Sequence, residues 1–254
     1  MAAGERADFL LVARGLCDSR EQAKRLIMAG EVMCGTDRVA KPSTMVPPDA
    51  ELTVLQRPRY VGRGGLKMEG ALKGFGIVPA GWVCLDLGAS TGGFTDCLLQ
   101  HGAERVHAVD VGTNQLAWKL RKDPRVVVKE KFNGRHLVQS DLGEQVDLVV
   151  MDLSFISLTK VLPAAVGVLK QEGELICLIK PQFELSREEV GKGGIVRDPA
   201  LREKAVEKIR DFVLEELQCE WVGFIESPIT GTDGNVEFLA RLRQGDSRAG
   251  LESG

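Results

Sequence analysis

Two residues of opposite charge stand where core strands should end. Asp152 closes the apolar run that begins at Val146, and Lys180 closes the run Leu175–Ile179. In a doubly wound α/β sheet, ligands bind beyond the carboxyl ends of the strands. A carboxylate and an amine at that edge can hold or move a proton. A lysine works as a base only in its neutral form, which burial and a second nearby cation both favour. Taken singly, a lysine in this place reads as a strand-end lysine extending into water. Glu237, within Asn235-Val236-Glu237-Phe238-Leu239, reads on its own as a surface residue beside a strand.

A second constellation surrounds Asp86-Leu87-Gly88-Ala89-Ser90-Thr91-Gly92-Gly93-Phe94, which follows an apolar run and opens a helix. Glycines there let the backbone approach a ligand, and the start of a helix offers free N–H groups. Asp110 ends the next apolar run, where an acidic residue can accept both hydroxyls of a ribose. The dinucleotide pattern GxGxxG is broken by Gly88-Ala89-Ser90, and the lysine of a P-loop is missing. A carboxylate just before the loop repels a pyrophosphate and suits a cation. That favours S-adenosylmethionine, which carries an ammonium and a sulfonium; an ordinary βα turn is the alternative.

These residues need a sheet to position them. Short apolar runs at Val83–Leu87, Val106–Asp110, Val126–Val128, Val146–Asp152 and Leu175–Lys180 alternate with helix-length segments. Near-continuous apolar strands of this kind belong to a parallel sheet covered on both faces. Two further strands are expected at Trp221–Glu226 and Val236–Leu242, joined by the turn-rich Thr230-Gly231-Thr232-Asp233-Gly234. Upstream lies a smaller unit. Ser19-Arg20-Glu21-Gln22 fits a capping box before a helix that Gly30 ends, and short strand-like pieces follow. The expected division is a module over 1–56, a linker over 57–65, a larger domain over 66–243 and a polar tail over 244–254.

The 254 residues are 44% hydrophobic and 27% charged, which excludes a disordered chain. No apolar run is long enough for a membrane span, and the first eight residues lack the regions of a signal peptide. A cytoplasmic protein is expected. The six cysteines form no CxxC pair and the three histidines show no ligand spacing, so reduced thiols and no metal are expected. The net charge of −3 argues against a uniformly basic coat. Local basic stripes at Arg57–Lys73 and Leu116–Leu137 either bind phosphates or form solvated faces.

The pieces Arg63-Gly64-Gly65-Leu66-Lys67, Asp86 to Phe94, Asp152-Leu153-Ser154-Phe155-Ile156-Ser157, Lys180-Pro181-Gln182-Phe183-Glu184 and Gly234-Asn235-Val236-Glu237-Phe238 resemble the TlyA (hemolysin A-like) family of ribosomal RNA methyltransferases. Its catalytic domain is similar to the FtsJ-type 2′-O-methyltransferases. The N-terminal unit resembles the alpha-L RNA-binding module through Leu10 to Leu16, Ser19 to Ala23, Gly30-Glu31-Val32 and Lys41-Pro42-Ser43. Together the matching stretches run from about 7 to 243.

The resemblance implies an α/β, Rossmann-like S-adenosylmethionine-dependent methyltransferase fold, mostly parallel with an antiparallel last strand, preceded by a small α+β RNA-binding module. It implies methyl transfer to the ribose of a cytidine in ribosomal RNA, with ribosomal RNA or ribosomal subunits as partners and neither membrane nor metal. It further implies a tetrad of Lys67, Asp152, Lys180 and Glu237. Lys180 would be the base, Lys67 would tune it or steady the alkoxide, Asp152 would position Lys180, and Glu237 would orient a lysine or the ribose. Cofactor contacts are expected from Asp86, Gly88, Ser90, Thr91, Gly92, Gly93, Phe94, Asp110, Val111, Glu130 and Asn133. RNA contacts are expected from Arg6, Arg14, Arg20, Lys24, Arg25, Arg59 and Arg63, with Arg20 and Lys24 on one helical face. The chain departs from the module's pattern at Cys34, where asparagine is common, and at Arg6-Ala7-Asp8, where Arg-Leu-Asp is usual. Rival readings are methylation of a base amino group, an RNA-binding protein with an inert transferase-like domain, and a membrane-lytic protein.

Overall fold

The computed structural model describes residues 4–17, 19–55 and 59–245. The chain forms two compact units, Met1–Arg59 and Tyr60–Gly254.

The first unit contains β1 (Glu5–Arg6), α1 (Ala7–Ala13), α2 (Arg20–Met28), β2 (Val32–Cys34), β3 (Asp37–Arg38), β4 (Met45–Val46) and β5 (Leu52–Val54). Ser19 caps α2 by accepting from the Gln22 N–H at 3.2 Å. The helix ends as the sequence predicts. Gly30 takes φ +70°, its N–H donates to Ile27, and the Glu31 N–H donates to Leu26, a closure that needs a residue free to turn left-handed. β2 pairs antiparallel with β3 and β5. Leu10, Leu11, Ala23, Ile27 and Val32 fill a small core beneath the helices.

The second unit contains α3 (Gly64–Phe75), β6 (Val83–Leu87), α4 (Gly93–Gln100), β7 (Arg105–Val109), α5 (Trp118–Arg121), β8 (Val126–Lys129), α6 (Gln139–Leu142), β9 (Val146–Met151), α7 (Leu162–Val166), β10 (Leu169–Ile179), α8 (Pro181–Glu184), α9 (Pro199–Glu215), β11 (Glu220–Glu226) and β12 (Phe238–Arg243). One seven-stranded sheet runs in the order β11-β12-β10-β9-β6-β7-β8. β8, β7, β6, β9 and β10 are parallel, and β12 lies antiparallel between β10 and β11. From β6 the chain builds outward through β7 and β8, then crosses back to β9 and builds outward the other way. The reversal leaves a crevice beyond the carboxyl ends of β6 and β9, the switch point where ligands enter such sheets.

Both sheet faces are covered. Leu85, Val149 and Cys177 join one core cluster, while Cys84, Leu148 and Ile176 join the other. Successive strand residues point to opposite faces, so burial on both sides requires the unbroken apolar runs seen in the sequence. Two boundaries differ from the sequence expectation. β10 begins at Leu169 rather than Leu175, because polar Lys170-Gln171-Glu172-Gly173 imitates a turn; the pairing with β9 is irregular there and Glu172 takes φ +59°. β12 begins at Phe238 rather than Val236, which leaves Glu237 just outside the strand. All six cysteines are free thiols, and burial pushes Cys84 up to about 12.

Register decides which side chains meet. Ile179 pairs with Phe238, and Met151 pairs with Cys177 on one side and Leu87 on the other. Asp152, Lys180 and Glu237 are each the residue that abuts one of three adjacent strand ends. α3 reaches this edge through a close helix crossing with α4. A Cβ on Gly93 would stand 2.8 Å from the Gly65 nitrogen and 3.2 Å from Gly64 Cα. Gly93→Ala therefore meets backbone that cannot rotate away. A loss of about 1–3 kcal/mol is expected, the usual cost of overpacking, readable as a lower urea midpoint at unchanged m-value.

Candidate active site

Three strand ends and one helix converge on a buried cluster of charge. The Lys180 ammonium lies 2.6 Å from Asp152 Oδ1 and donates to Ser154 Oγ at 3.0 Å. The Lys67 ammonium, carried in by α3, donates to Glu237 Oε2 at 2.6 Å and lies 3.8 Å from Asp152 Oδ2. Asp152 thus turns one oxygen toward each lysine. Both lysines are buried, and Glu237 is only 3% exposed. Neither Lys180 nor Glu237 is the solvent-facing residue that each suggests when read alone. Two cations and two anions leave the cluster with no net charge, the condition under which such groups tolerate burial.

A cavity of about 250 Å³ opens over this cluster, lined by all four charged residues together with Asp86, Gly88, Ser90, Thr91, Gly93 and Phe94. Asp86 is 1% exposed. Its Oδ2 accepts from the Thr95 N–H at 2.9 Å and the Thr95 hydroxyl at 2.6 Å. Its Oδ1 is buried with no hydrogen-bond partner among the described residues. Burial pushes its carboxyl up to about 7. An ammonium donating to Oδ1 would remove that deficit, so the donor set fits the amino-acid end of S-adenosylmethionine.

A second cavity of about 380 Å³ is lined by Asp110, Val111, Asn133, Phe155 and Ile156, among others. It shares Gly88, Ser90, Asp152 and Ser154 with the first, so the two adjoin at the glycine loop. Backbone holds Asp110 in place: its oxygens accept from the Ser90 N–H at 2.8 Å and the Gly112 N–H at 2.7 Å. Each oxygen keeps a lone pair for a hydroxyl. An acidic residue beside an apolar slot suits a nucleoside.

Two expected cofactor residues line neither cavity. Gly92 takes φ +94° ahead of α4, and a Cβ there would approach Leu116 Cδ1 to 2.7 Å; its smallness serves packing. Glu130 is held by the Arg121 guanidinium, and backbone N–H of Asn114 is the main cause keeping its carboxyl below the ordinary range. Asn133 does two things: it lines the second cavity and caps a turn by accepting from the Arg135 N–H at 3.1 Å.

Several arginines of the first unit are engaged within it. Asp8 is fully buried at the start of α1. It accepts from Arg6 at 2.9 Å and 3.0 Å and from Arg20 at 3.3 Å; the Arg6 hydrogen bond chiefly holds its carboxyl below the usual range. The Arg20 guanidinium also lies 3.8 Å from the centre of the Phe9 ring. Arg14 donates to the Ala50 and Pro48 carbonyls. Lys24 bonds Glu21 at 2.7 Å, so Arg20 and Lys24, on one helical face, each have a carboxylate partner. Arg25 and Arg59 are exposed. In the second unit Arg63 is exposed and donates to the Thr230 carbonyl at 3.1 Å.

The structure adds residues that sequence reading passes over. Thr95 satisfies half of Asp86, and a buried carboxylate signals that such a donor must exist. Ser154 sits in the quoted Asp152 motif and bonds Lys180. Phe155 is 91% exposed at φ +63°, with its ring centre 5.3 Å from that of Phe183. Gly231 and Thr232 complete the first cavity. Among the described residues no cluster could hold a metal ion, and no helix is long and apolar enough to cross a membrane.

A mostly parallel sheet with a glycine loop at its switch point and an antiparallel final strand is the fold of S-adenosylmethionine-dependent methyltransferases. An FtsJ-like methyltransferase model matches residues 60–244, and an S4 domain model matches residues 5–52. The chain belongs to the FtsJ-like methyltransferase family, in its TlyA (hemolysin A-like) branch. It is 49% identical to the 16S/23S rRNA (cytidine-2′-O)-methyltransferase TlyA of Mycobacterium tuberculosis over 98% of this chain and 93% of that one. It is 43% identical to Hemolysin A of Brachyspira hyodysenteriae over 93% of this chain and 99% of that one. A solved structure titled "Putative hemolysin from Streptococcus thermophilus" matches with a TM-score of 0.73 at 44% identity, covering 97% of this chain and 90% of that one. Fold and family imply S-adenosylmethionine as methyl donor.

The raised Asp86 carboxyl makes cofactor affinity depend on pH. A cationic partner favours ionised Asp86, so binding should tighten as pH rises through about 7. Isothermal titration with S-adenosylmethionine between about pH 6 and 7, where the ligand's own α-ammonium stays charged, should read about a fivefold gain, and Asp86→Asn should flatten it.

Proposed function

We propose that this protein methylates the ribose 2′-hydroxyl of a cytidine in ribosomal RNA, with Lys67, Asp152, Lys180 and Glu237 as its catalytic group. The observation that carries this reading is the single Asp152 carboxylate facing two buried ammonium groups beside the glycine-loop cavity. Methyl transfer to a hydroxyl is an in-line displacement: the oxygen must lie behind the methyl carbon and lose its proton. S-adenosylmethionine, when bound, supplies the electrophilic methyl. Asp86 receives its ammonium, and Asp110 receives its ribose hydroxyls beside the slot lined by Val111, Asn133 and Ile156.

Lys180, held by Asp152 and Ser154, takes the hydroxyl proton once it is in its neutral form. Lys67 stabilises the developing alkoxide, and Glu237 keeps Lys67 aimed at the cavity through its 2.6 Å bond. The exposed ring of Phe155 offers a face on which an unpaired base can stack, the usual way proteins hold nucleotides out of a helix. The S4 domain supplies RNA affinity, through the exposed Arg25 more than through the arginines bound to Asp8 and to carbonyls.

The direct test combines purified protein, methyl-labelled S-adenosylmethionine and unmodified ribosomal subunits, followed by alkaline hydrolysis. Methylation of a 2′-oxygen blocks cleavage at that bond, so label should appear in alkali-resistant dinucleotides. Label in mononucleotides would instead mean base methylation and end the 2′-O reading. Lys180→Ala should cut the rate at least about a hundredfold, the lower range for loss of a general base, while cofactor affinity stays within about twofold. Phe155→Ala should raise KM for RNA more than it lowers kcat. Normal turnover in Lys180→Ala would remove that lysine from the mechanism.

A further inference from the structure

Most cations of the second unit are engaged by carboxylates. Arg121 binds Glu130, Lys129 binds Asp141, Lys170 binds Asp147 and Lys204 binds Glu189. Besides Lys73 and Lys122, six exposed cations of the second unit have no side-chain hydrogen bond or ion pair among the described residues: Lys131, Arg135, Lys160, Arg187, Lys192 and Arg197. All six sit on connections that leave the carboxyl ends of parallel strands. Lys131 and Arg135 follow β8, Lys160 follows β9, and the other three follow β10 and α8. That is the edge bearing Asp152 and Lys180.

The connection after α8 is fastened to the catalytic group. Asn235, 1% exposed, lies two residues before Glu237. Its Oδ1 accepts from the Val196 N–H at 2.9 Å, and its Nδ2 donates to the Gly194 carbonyl at 2.9 Å. Arg202 from α9 also holds the Val196 carbonyl at 2.9 Å. The segment carrying Arg187, Lys192 and Arg197 is therefore anchored beside Glu237 while its cations face solvent. In the sheet order, β8 lies on one side of the crevice and β10 on the other.

We propose that these six cations form the track for the sugar–phosphate backbone of the substrate strand, with Arg187, Lys192 and Arg197 holding phosphates on the β10 side of the target nucleotide and Lys131, Arg135 and Lys160 holding them on the β8–β9 side. The assignment rests on the reading of the substrate as RNA. It explains how a chain of net charge −3 holds a polyanion: its acidic groups pair with many cations elsewhere, and six cations at the site edge keep no carboxylate partner among the described residues. Contacts of this kind give affinity and orientation without choosing sequence.

The test uses the full chain, radiolabelled deproteinised ribosomal RNA and filter binding across a salt series. The triple variant Arg187→Ala/Lys192→Ala/Arg197→Ala should bind at least about tenfold more weakly at fixed salt. Its log–log salt slope should be shallower by about 2, from roughly 0.7 per lost contact to a single strand. The charge-retaining Arg187→Lys/Lys192→Arg/Arg197→Lys should restore the wild-type slope, and titrated S-adenosylmethionine affinity should be unchanged in both. Lys131→Ala/Arg135→Ala/Lys160→Ala should behave as the first triple does. Lys73→Ala, in the last turn of α3 away from this edge, should keep the wild-type slope. An unchanged slope in both alanine triples, or a parallel loss of cofactor affinity, would overturn the track. Wild-type protein that takes up cofactor yet binds no RNA at any salt would overturn the RNA reading itself, a distinct result.

Discussion

Burying three charges around the half-buried Asp152 is the constraint around which the second unit is arranged. An isolated buried ammonium or carboxylate is costly, and breaking a buried pair leaves an uncompensated charge. Asp152 resolves this by turning one oxygen to each lysine while Glu237 completes the set. The arrangement demands precision from elements far apart in sequence: Lys67 and Glu237 are 170 positions apart. The sheet register supplies it for three residues, and the α3–α4 crossing supplies it for the fourth. The same electrostatic set that permits burial also brings two lysines to one point beside the cavity, the arrangement on which the proposed chemistry draws.

The cofactor side follows a different logic. Asp110 is held by two backbone N–H groups, so its direction does not depend on a mobile partner. Asp86 is only half satisfied, by Thr95. A buried oxygen with no partner among the described residues is costly, and a donor of positive charge would relieve that cost. Gly88, Ser90 and Asp152 line both cavities. A ligand spanning the two would bring its reactive centre beside the charged cluster, which is how a switch-point crevice couples cofactor binding to chemistry.

Electrostatics also divides the labour among cations. In the first unit a single buried carboxylate, Asp8, draws in Arg6 and Arg20, and Arg14 binds carbonyls instead. In the second, carboxylates pair with most of the basic residues over the sheet and α9, while several cations in the loops at the carboxyl edge have no carboxylate partner among the described residues. Net charge is therefore a poor guide to where a polyanion binds, because only the cations without an internal partner remain available to it.

Much of the architecture is legible in the residues alone. Parallel strands buried on both faces must be apolar throughout, so β6 to β9 stand out as runs. A charged residue ending such a run marks the edge where ligands enter these sheets, which is why Asp152, Lys180 and Asp110 stand out without coordinates, and Asp86 stands out as a charge inside β6. Gly30 likewise marks the end of α2, because few other residues accept that backbone conformation. Long-range pairing is not readable in this way. The start of β10 is hidden by polar residues in an edge irregularity, Glu237 reads as a surface residue until β12 is registered against β10, and the arginine contacts with Asp8 and with carbonyls depend on what their side chains meet after folding. Local sequence encodes which residues are buried and where strands end; only the tertiary structure determines which buried charges become neighbours, because the interaction that pairs them exists only once distant segments share one low-dielectric site.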